Sequence, residues 1–375
     1  MRVSHSTERV QKYTFPAKQP NIFRKKCVFL RKNNDNPQIL CIFAVDFSNQ
    51  QSNNIKTKKM KEAILRVGII GTGWIAEKAA ITLRSNSGRM LSEGRGNGQK
   101  LCECYAVASR SKEKAEAFAA EWDVPKAYGS YSELIADEDV DLVYVATPHS
   151  HHYDVTREAL LAGKPCLVEK AFMANHRQAL DIVTLARQRQ VFLAEAIWTR
   201  YQPAVGIIRD LISSGRIGTP RLVTATLGYS MGDKPRIMLP ELCGGALLDL
   251  GVYALNFVRM FFSADIVNIE SQCVKSKTGM DLTNAISLVL ADGLLCNLQS
   301  SAACVGDNIG VIAGTEGNLI IDNINNPQTI TVNGPDRTYV ETIHVPKQIT
   351  GYEYQFLACR QALIEKRNSL LAINY

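Results

Sequence analysis

The sequence predicts an α/β protein of two domains, a doubly wound parallel sheet followed by an α+β domain with an open, mostly antiparallel sheet. From Leu65 onward, apolar strands alternate with helical stretches, which is typical of a parallel sheet with helices on both faces. After about Gln202, strand-like runs follow one another with turn residues between them. The chain has 375 residues, which is long enough for two domains with a core each.

Residues 1–60 are rich in Asn, Gln, Lys and Ser, which predicts a disordered basic extension or a sequence upstream of the true start. They carry 12 Lys and Arg against 3 Asp and Glu, a net charge of +9. The remaining 315 residues carry 31 against 33, a net of −2. The folded body is therefore nearly neutral, and its charge gives no argument for a nucleic-acid partner.

We predict a first domain over residues 61–190. Its strands are "LRVGII", "CYAVAS", "VDLVYVAT", "PCLVEK" and, just beyond it, "VFLAEA". The helices between them are "WIAEKAAITLRS", "SKEKAEAFAAEWDV", "YDVTREALLAG" and "NHRQALDIVTLARQRQ". The stretch 85–100 predicts an inserted loop because Gly and Ser are frequent in it.

Residues 191–375 are predicted to form the second domain. Its strands are "RLVTATLGY", "AISLVLA", "LLCNLQSSA", "IGVIAG", "GNLIIDN", "QTITVNG" and "TYVETIHV". Only one long helical stretch intervenes, "GALLDLGVYALNFVRMFF". This pattern favours an α+β domain over a continued parallel sheet.

Cysteine usage and hydropathy bear on the compartment. The ten cysteines lack zinc-site spacing and several lie in apolar runs, so we expect free thiols in a reducing environment. We find no apolar run of the roughly 18 residues that a membrane span needs. We therefore expect a cytoplasmic protein with no membrane partner.

A glycine turn follows the first strand directly. The sequence "VGIIGTGWIAEKA" is G-x-G-x-x-A, ending at Ala76. The glycines permit a tight turn and let backbone N–H groups approach a pyrophosphate at the helix N-terminus. At the first strand–helix junction this motif predicts a dinucleotide-binding Rossmann domain rather than a plain turn. The expected contacts are Gly71, Thr72, Gly73, Trp74 and Ile75.

The residues at the end of the second strand, "ASRSKEK", indicate which nicotinamide cofactor the site prefers. An NAD site usually has an acid here, which binds the ribose 2′-OH. Ser109 and Arg110 stand in its place, with Lys114 one helical turn later. A hydroxyl and two cations suit a 2′-phosphate, so NADP(H) is favoured over NAD(H). The alternative is that the two cations only solvate the start of a helix.

Two polar segments follow neighbouring strands and open on the carboxyl edge of the sheet, where ligands of such sheets bind. One is "VATPHSHHYD", with His149, His151 and His152; the other is the pair Glu169–Lys170. No Cys or Asp/Glu pair gives the histidines a metal-ligand spacing, so we predict no metal and a loop that faces the cofactor.

Lys170 has two interpretations at this stage. It is a strand-end lysine whose charge Glu169 offsets, or an ammonium beside the nicotinamide that polarises a carbonyl or lowers a neighbour's pKa. The run "GGALLDLGVYALN" favours the second, because Asp249 and Tyr253 are i and i+4 on one helix face. A lysine cation would stabilise a tyrosine phenolate. The alternative for Tyr253 is a core aromatic.

Six motifs together carry a resemblance to a known family. In chain order they are "GIIGTGWIA", "ASRSKEKA", "ATPHSHH", "LVEKAF", "EAIWTRYQPA" and "GGALLDLGVYALN". The chain resembles the glucose–fructose oxidoreductase/inositol dehydrogenase (Gfo/Idh/MocA) family over about residues 65–365. Within it, "EAIWTRY" and Tyr253 are most similar to the dihydrodiol and NADP-dependent D-xylose dehydrogenase branch.

The resemblance implies hydride transfer between a nicotinamide cofactor and a sugar, cyclitol or diol, and an open sheet that mediates homodimers or higher oligomers. By motif, Lys170 matches the family's E-K-P lysine, Asp249 its acid, Tyr253 its proton carrier and Trp198 a wall of the substrate pocket. The positions matching cofactor-side residues are Thr147, Pro148, His152, Glu169 and Arg200.

Three departures accompany the resemblance. Ala171 replaces the proline expected after Lys170, and many relatives have histidine where Tyr253 stands. The chain ends at Tyr375, where relatives continue into a further helix, so we expect a shortened C-terminus. A non-catalytic NADP-binding regulator on the same scaffold is the alternative function, although a sensor would need neither the lysine, the acid nor the tyrosine.

Overall fold

The computed structural model of the protein describes residues 64–85 and 100–369, and every structural statement below refers to them. The predictions for residues 1–60, most of the inserted loop and the end of the chain beyond residue 369 lie outside the described residues.

The first sheet has six parallel strands in the order β3-β2-β1-β4-β5-β6. The strands are β1 (Leu65–Ile70), β2 (Cys102–Ala108), β3 (Lys126–Tyr128), β4 (Leu142–Val145), β5 (Cys166–Glu169) and β6 (Leu193–Ala196). The connecting helices are α1 (Trp74–Arg84), α2 (Lys112–Trp122), α3 (Tyr131–Ala136), α4 (His149–Leu161) and α5 (His176–Arg189). The predicted doubly wound sheet is confirmed, but β3 and α3 were not predicted because both are too short for a clear period.

Alternate side chains of β1 enter different cores, which is why the central strands read as continuous apolar runs. Val67 and Ile69 pack into the cluster under α1 and α2, whereas Ile70 packs with α4 and α5 on the opposite face. All three side chains are fully buried.

The second sheet has eight strands in the order β14-β13-β12-β11-β7-β10-β9-β8. They are β7 (Pro220–Gly228), β8 (Ile266–Lys275), β9 (Asp281–Leu290), β10 (Leu295–Ser301), β11 (Gly310–Gly314), β12 (Asn318–Ile321), β13 (Thr329–Asn333) and β14 (Tyr339–His344). Only the β7–β10 pair is parallel, so the predicted mostly antiparallel sheet is confirmed. Strand β8 was missed because most of its side chains are exposed.

One face of this sheet is covered by α8 (Val252–Phe261), which continues from a π-helical turn at Leu247–Gly251. Further helices are α6 (Pro203–Ser213) and the short α7 (Pro235–Met238). The one long helical stretch predicted among the strands of this sheet is α8, whereas α6, a helix of 11 residues, precedes the first of these strands and was not predicted.

The segment Pro240–Phe261 is long and apolar enough to cross a membrane by length and composition, contrary to our reading of the sequence. However, 61% of its apolar window is buried inside the protein. Phe257 and Val258 belong to the core between α8 and the second sheet. The apolar side chains of this segment are thus taken up by the core of the second domain.

After the second sheet the chain returns to the first domain through α9 (Glu353–Ile364). Phe356 and Cys359 are fully buried in the core that also holds Val67, and the ring of Phe356 meets that of Tyr144 at 5.4 Å. The apolar face of α9 therefore packs on the first sheet, and the predicted boundary at residue 191 stays a prediction.

Candidate active site

The glycine turn lies at the carboxyl end of β1, and Gly71 is required there on steric grounds. Its φ is +116°, and a Cβ would lie 2.6 Å from the carbonyl oxygen of Ala146 at the end of β4. Gly73 is the N-cap of α1, makes no side-chain cap and would have open space around a Cβ. The turn thus brings the uncapped N-terminus of α1 beside the next strand end.

These features fit a dinucleotide pyrophosphate. The first N–H groups of α1 receive no side-chain cap, so they can bind an anion. Thr147, next to the turn, has a buried hydroxyl without a hydrogen-bond partner in the described part of the chain. Thr72 and Ile75 are half-buried, while Trp74 is exposed with the Lys78 ammonium 5.7 Å from its ring centroid.

The residues predicted for the 2′-phosphate lie together after β2. Arg110 and Lys114 are exposed, and Ser109 is buried with its N–H donating to Tyr128 O at 3.2 Å. The N-cap of α2 is Ser111, whose hydroxyl accepts from the N–H of Lys114 at 3.2 Å. Two exposed cations therefore lie just beyond the end of β2, the strand that pairs with β1.

The histidine segment was predicted to be a loop that faces the cofactor. It is the start of a helix instead of a loop. Pro148 is the exposed N-cap of α4, so His149, His151 and His152 lie in the first turn of that helix. His152 is fully buried, with Nε2 2.9 Å from Thr147 O and Nδ1 3.0 Å from Ala171 O. Its ring therefore joins the segments that follow β4 and β5.

Burial lowers the pKa of His152 to about 4, so the ring is neutral at neutral pH. His149 is also buried, with Nδ1 3.2 Å from Cys243 O and Nε2 3.1 Å from Lys170 O. Burial and the Lys170 ammonium lower its pKa as well. His149 thereby links the segment around Lys170 to the loop before the π-helical turn.

Lys170 lies between the two domains and pairs with Asp249. Its Nζ donates to the carboxylate Oδ1 and to the main-chain carbonyl of Asp249, each at 2.8 Å. The Glu169 carboxylate accepts a hydrogen bond from the main-chain N–H of Lys170 at 3.1 Å, and the electrostatic pairing of Glu169 with the Lys170 ammonium stays a prediction. The peptide bond between Lys170 and Ala171 is cis.

The Glu169 carboxylate also accepts a hydrogen bond from the hydroxyl of Tyr144, in the middle of the sheet. Burial raises the pKa of Glu169 to about 7, and the Tyr144 hydroxyl and the Lys170 ammonium oppose this shift. Tyr144 was not predicted, because a tyrosine in an apolar strand has the pattern of a core residue.

Asp249 is held by two cations. Its Oδ2 accepts from Arg236 Nε at 3.2 Å, on the side away from Lys170. Burial opposes ionisation, but the Lys170 and Arg236 charges outweigh it and hold the pKa of Asp249 well below its usual range. Asp249 is therefore a carboxylate at neutral pH. Arg236 was missed because it lies in a segment without helical or strand period.

Tyr253 lies under Lys170, whose ammonium is 5.1 Å from the centroid of its ring. Its hydroxyl accepts a hydrogen bond from Trp198 Nε1 at 3.0 Å. Burial raises the pKa of Tyr253 well above its ordinary value, Glu169 adds to the shift, and the Trp198 N–H opposes it. Burial thus favours the neutral phenol form of Tyr253, and stabilisation of its phenolate by Lys170 stays a prediction.

Trp198 begins a short 3-10 helix after β6 and stacks on Tyr352 at 4.2 Å between ring centroids, with planes 18° apart. Tyr352 was not predicted, since it lies far along the chain in the segment before α9. Arg200, expected on the cofactor side, donates from Nε to Asn256 on α8 at 2.7 Å. Its assignment to the cofactor stays a prediction.

Within residues 64–85 and 100–369, no group of three or more His, Cys, Asp or Glu side chains could hold a metal ion. The polar groups that converge are Lys170, Asp249, Arg236 and Tyr253, beside Trp198 and Tyr352. An ammonium and a phenol next to a dinucleotide turn can polarise a substrate oxygen and hold its proton.

Comparisons with known proteins agree with this geometry. The family described as "Oxidoreductase family, NAD-binding Rossmann fold" matches residues 65–196. The domain described as "GFO/IDH/MocA C-terminal domain" matches residues 206–320.

Curated relatives are similar over most of the chain. Trans-1,2-dihydrobenzene-1,2-diol dehydrogenase from Mus musculus is 33% identical over 294 residues, which is 78% of this chain and 83% of the relative. The Xenopus tropicalis protein of that name is 36% identical over 70% of this chain and 82% of its own. D-xylose 1-dehydrogenase (NADP(+)) from Hypocrea jecorina is 45% identical over 52% of each chain.

Solved structures share the fold. A 3-ketoreductase from Actinomadura kijaniata, in complex with NADP and TDP-benzene, has a TM-score of 0.72 and 24% identity, over 82% of this chain and 91% of its own. An aldose-aldose oxidoreductase from Caulobacter crescentus has a TM-score of 0.71 and 21% identity over the same shares.

Proposed function

The chain belongs to the Gfo/Idh/MocA family of oxidoreductases, and on this premise we propose that it is an NADP-dependent dehydrogenase acting on a CH–OH group of a sugar, cyclitol or trans-dihydrodiol. The observation that carries the proposal is the meeting of Lys170, Asp249 and Tyr253 at the carboxyl edge of the dinucleotide-binding sheet. The relatives named as dihydrodiol and xylose dehydrogenases support this reaction class.

Gly71, Gly73 and Thr147 would hold the pyrophosphate, for the steric and hydrogen-bonding reasons given above. When bound, the nicotinamide supplies a two-electron hydride acceptor or donor. Arg110 and Lys114, exposed after β2, suit a 2′-phosphate and favour NADP over NAD. The printed name of the xylose dehydrogenase, NADP(+), supports the same choice.

Tyr253 carries the proton in this proposal. As a neutral phenol, it donates its proton to the carbonyl oxygen of a ketone or aldehyde in the reductive direction. Trp198 Nε1 donates to the Tyr253 oxygen at 3.0 Å, so one lone pair is engaged and the phenolic proton is directed elsewhere. In the oxidative direction Tyr253 must first release its own proton, and the resulting phenolate, beside the Lys170 ammonium, takes up the proton of the substrate hydroxyl.

Lys170 polarises the reacting oxygen. An ammonium has three N–H donors, and Asp249 takes two of them, through Oδ1 and the main-chain carbonyl. The third donor can reach a substrate oxygen. These two hydrogen bonds to Asp249 hold the Lys170 side chain in place.

The Trp198–Tyr352 stack supplies a flat apolar wall beside these polar groups. A flat wall suits a ring-shaped substrate, whether a pyranose or a cyclic diol, because C–H faces pack on aromatic surfaces. Linear alcohols would cover less of it.

We place the protein in the cytoplasm and propose that it forms a homodimer through the outer face of the second sheet. The described cysteines are all free thiols, which agrees with a reducing compartment. The outer face exposes apolar side chains that include Val267, Val274 and Leu295. Light scattering of the purified chain tests the dimer, and Val274→Asp should shift it toward monomer.

The decisive experiment follows the reduced-nicotinamide absorbance with NADP+ and a panel of pentoses, hexoses, inositols and trans-diols. An increase with at least one substrate supports the dehydrogenase. Measurable NADP+ binding without turnover of any of them would favour the alternative, a non-catalytic NADP-binding regulator.

A further inference from the structure

Arg236 occupies an unusual position in the site. It shares the Asp249 carboxylate with Lys170, but its side chain is 44% exposed, whereas those of Lys170 and Asp249 are 13% and 7% exposed. The guanidinium therefore lies at the outer edge of the cluster, where a molecule entering from solvent would meet it first.

The backbone beneath Arg236 is fixed. Ile237 is fully buried, and its carbonyl accepts from the N–H of Gly245 at 2.9 Å. A Cβ on Gly244 would lie 2.4 Å from the same carbonyl oxygen, so the segment folds tightly back on itself. The main-chain carbonyl of Cys243 also contacts the ring of His149 on the first domain. A firmly held backbone gives the exposed guanidinium a defined location.

The guanidinium keeps most of its donors. Of its five N–H groups only Nε–H is used, on Asp249 Oδ2. The four on the terminal nitrogens have no hydrogen-bond acceptor within the described ranges 64–85 and 100–369. A planar fork with free donors next to a reaction centre is suited to bind an oxygen of the substrate.

We propose that Arg236 binds the hydroxyl on the carbon adjacent to the reacting one, which makes vicinal diols the preferred substrate class. Lys170 and Tyr253 contact the reacting oxygen of the substrate. Arg236, which binds the other carboxylate oxygen of Asp249, contacts the hydroxyl on the adjacent carbon. The inference rests on the proposed dehydrogenase function and adds to it the feature that the substrate must carry.

This substrate class unites the two kinds of relative. A trans-1,2-dihydrobenzene-1,2-diol has hydroxyls on neighbouring carbons, and so do C1 and C2 of D-xylose. The two compounds otherwise differ in ring atoms and polarity. A site that recognises the vicinal pair, with an aromatic wall for the ring, would accept both.

The test uses the full chain with NADPH bound, and measures by calorimetry the binding of trans-1,2-cyclohexanediol and of cyclohexanol. We expect the diol to bind about 10- to 100-fold more tightly, the size of one charge-assisted hydrogen bond. Arg236→Met should reduce this preference to about twofold, because it weakens the binding of the diol and leaves the binding of cyclohexanol unchanged. Turnover of D-glucose against 2-deoxy-D-glucose with NADP+ provides a second readout with the same expected pattern.

Two variants serve as controls. Lys234→Met removes a cation from the same loop, one that pairs with Asp233 and not with Asp249, and should leave the preference intact. Arg236→Lys keeps the charge but loses the planar fork and should retain only part of it. Thermal unfolding checks that each variant is folded, and Arg236→Lys replaces Arg236→Met if the latter is not.

The outcomes are separable. If Arg236→Met weakens the binding of the diol and of cyclohexanol equally, the proposal is overturned, and Arg236 only holds Asp249 in position. Absence of a diol preference in the unsubstituted protein would overturn it too. If the preference is found in binding but no substrate is turned over, the dehydrogenase function fails while the role of Arg236 stands.

Discussion

Lys170 and Asp249 are 79 positions apart in the chain, yet two hydrogen bonds of 2.8 Å join them. One goes to the carboxylate and the other to the main-chain carbonyl of the same residue. The lysine comes from the first sheet and the acid from the π-helical turn of the second domain, so the pair links the two halves of the active site.

The first prediction concerns Lys170→Met. Loss of the ammonium removes the donor that polarises the reacting oxygen, so we expect kcat to fall about 10²- to 10⁴-fold. NADP+ binding, measured by fluorescence titration, should change little, because the glycine turn is untouched. Retention of full turnover in this variant would refute the assigned role.

The second prediction concerns Asp249→Asn and its dependence on pH. The native carboxylate has a depressed pKa, so its stabilising contribution is complete above the unfolded pKa of about 4 and is lost as the pH falls through the folded value. Removing it leaves Lys170 beside an amide, and we expect a loss of about 3 kcal/mol at pH 7.

Chemical denaturation at a series of pH values measures this. The stability difference between native protein and variant should shrink as the pH falls below about 4, where the unfolded carboxyl takes up its proton. A difference that does not depend on pH would mean that packing, and not charge, accounts for the loss.

The third prediction uses the raised pKa of Glu169, about 7 in the folded protein because of burial. Since the unfolded value is about 4.3, this group stabilises fully below that pH, and its contribution is lost as the pH rises through about 7. Glu169→Gln should therefore flatten the stability profile between these values. Tyr144→Phe, which removes the hydrogen bond that opposes the shift, should move the transition upward.

The fold was largely predictable because its cause is local. Strands such as Leu65–Ile70 are buried on both faces and read as apolar runs, and the glycine turn after them identifies the sheet. Asp249 and Tyr253 both lie beside the Lys170 ammonium, but their sharing of one helix face stays a prediction, because the backbone at Asp249 is a π-helical turn that the sequence pattern does not reveal.

The rest of the site depends on contacts between segments far apart in the chain. Arg236 contacts Asp249 from α7, a helix too short for the sequence to predict, and Tyr352 contacts Trp198 only because the chain returns to the first domain. Glu169 ends β5 and Lys170 follows it, and their side chains make hydrogen bonds to different residues, Tyr144 and Asp249, which the sequence does not reveal.

The fourth prediction concerns Tyr253 and Trp198. Because the pKa of Tyr253 is well above 10, ketone reduction should show no loss from its ionisation up to about pH 10. Tyr253→Phe should lower kcat about 10²- to 10⁴-fold. Trp198→Phe removes the N–H that lowers this pKa, so any alkaline limb should move to higher pH. A shift to lower pH would contradict the hydrogen bond's role.

The fifth prediction concerns the choice between NADP and NAD. Arg110 is exposed after β2 and, in the proposed function, binds the 2′-phosphate that only NADP carries. Arg110→Ala should therefore weaken NADP+ binding roughly 10- to 100-fold, because charge-assisted hydrogen bonds are lost, and leave NAD+ binding unchanged.

Lys112→Ala is the matched control, because Lys112 is exposed nearby but donates to Ala127 O at 2.8 Å. Titrations at low and high salt separate a specific contact from general attraction, since a direct hydrogen bond persists where long-range charge effects are screened. Equal weakening of both cofactors by Arg110→Ala would remove the argument for a 2′-phosphate site.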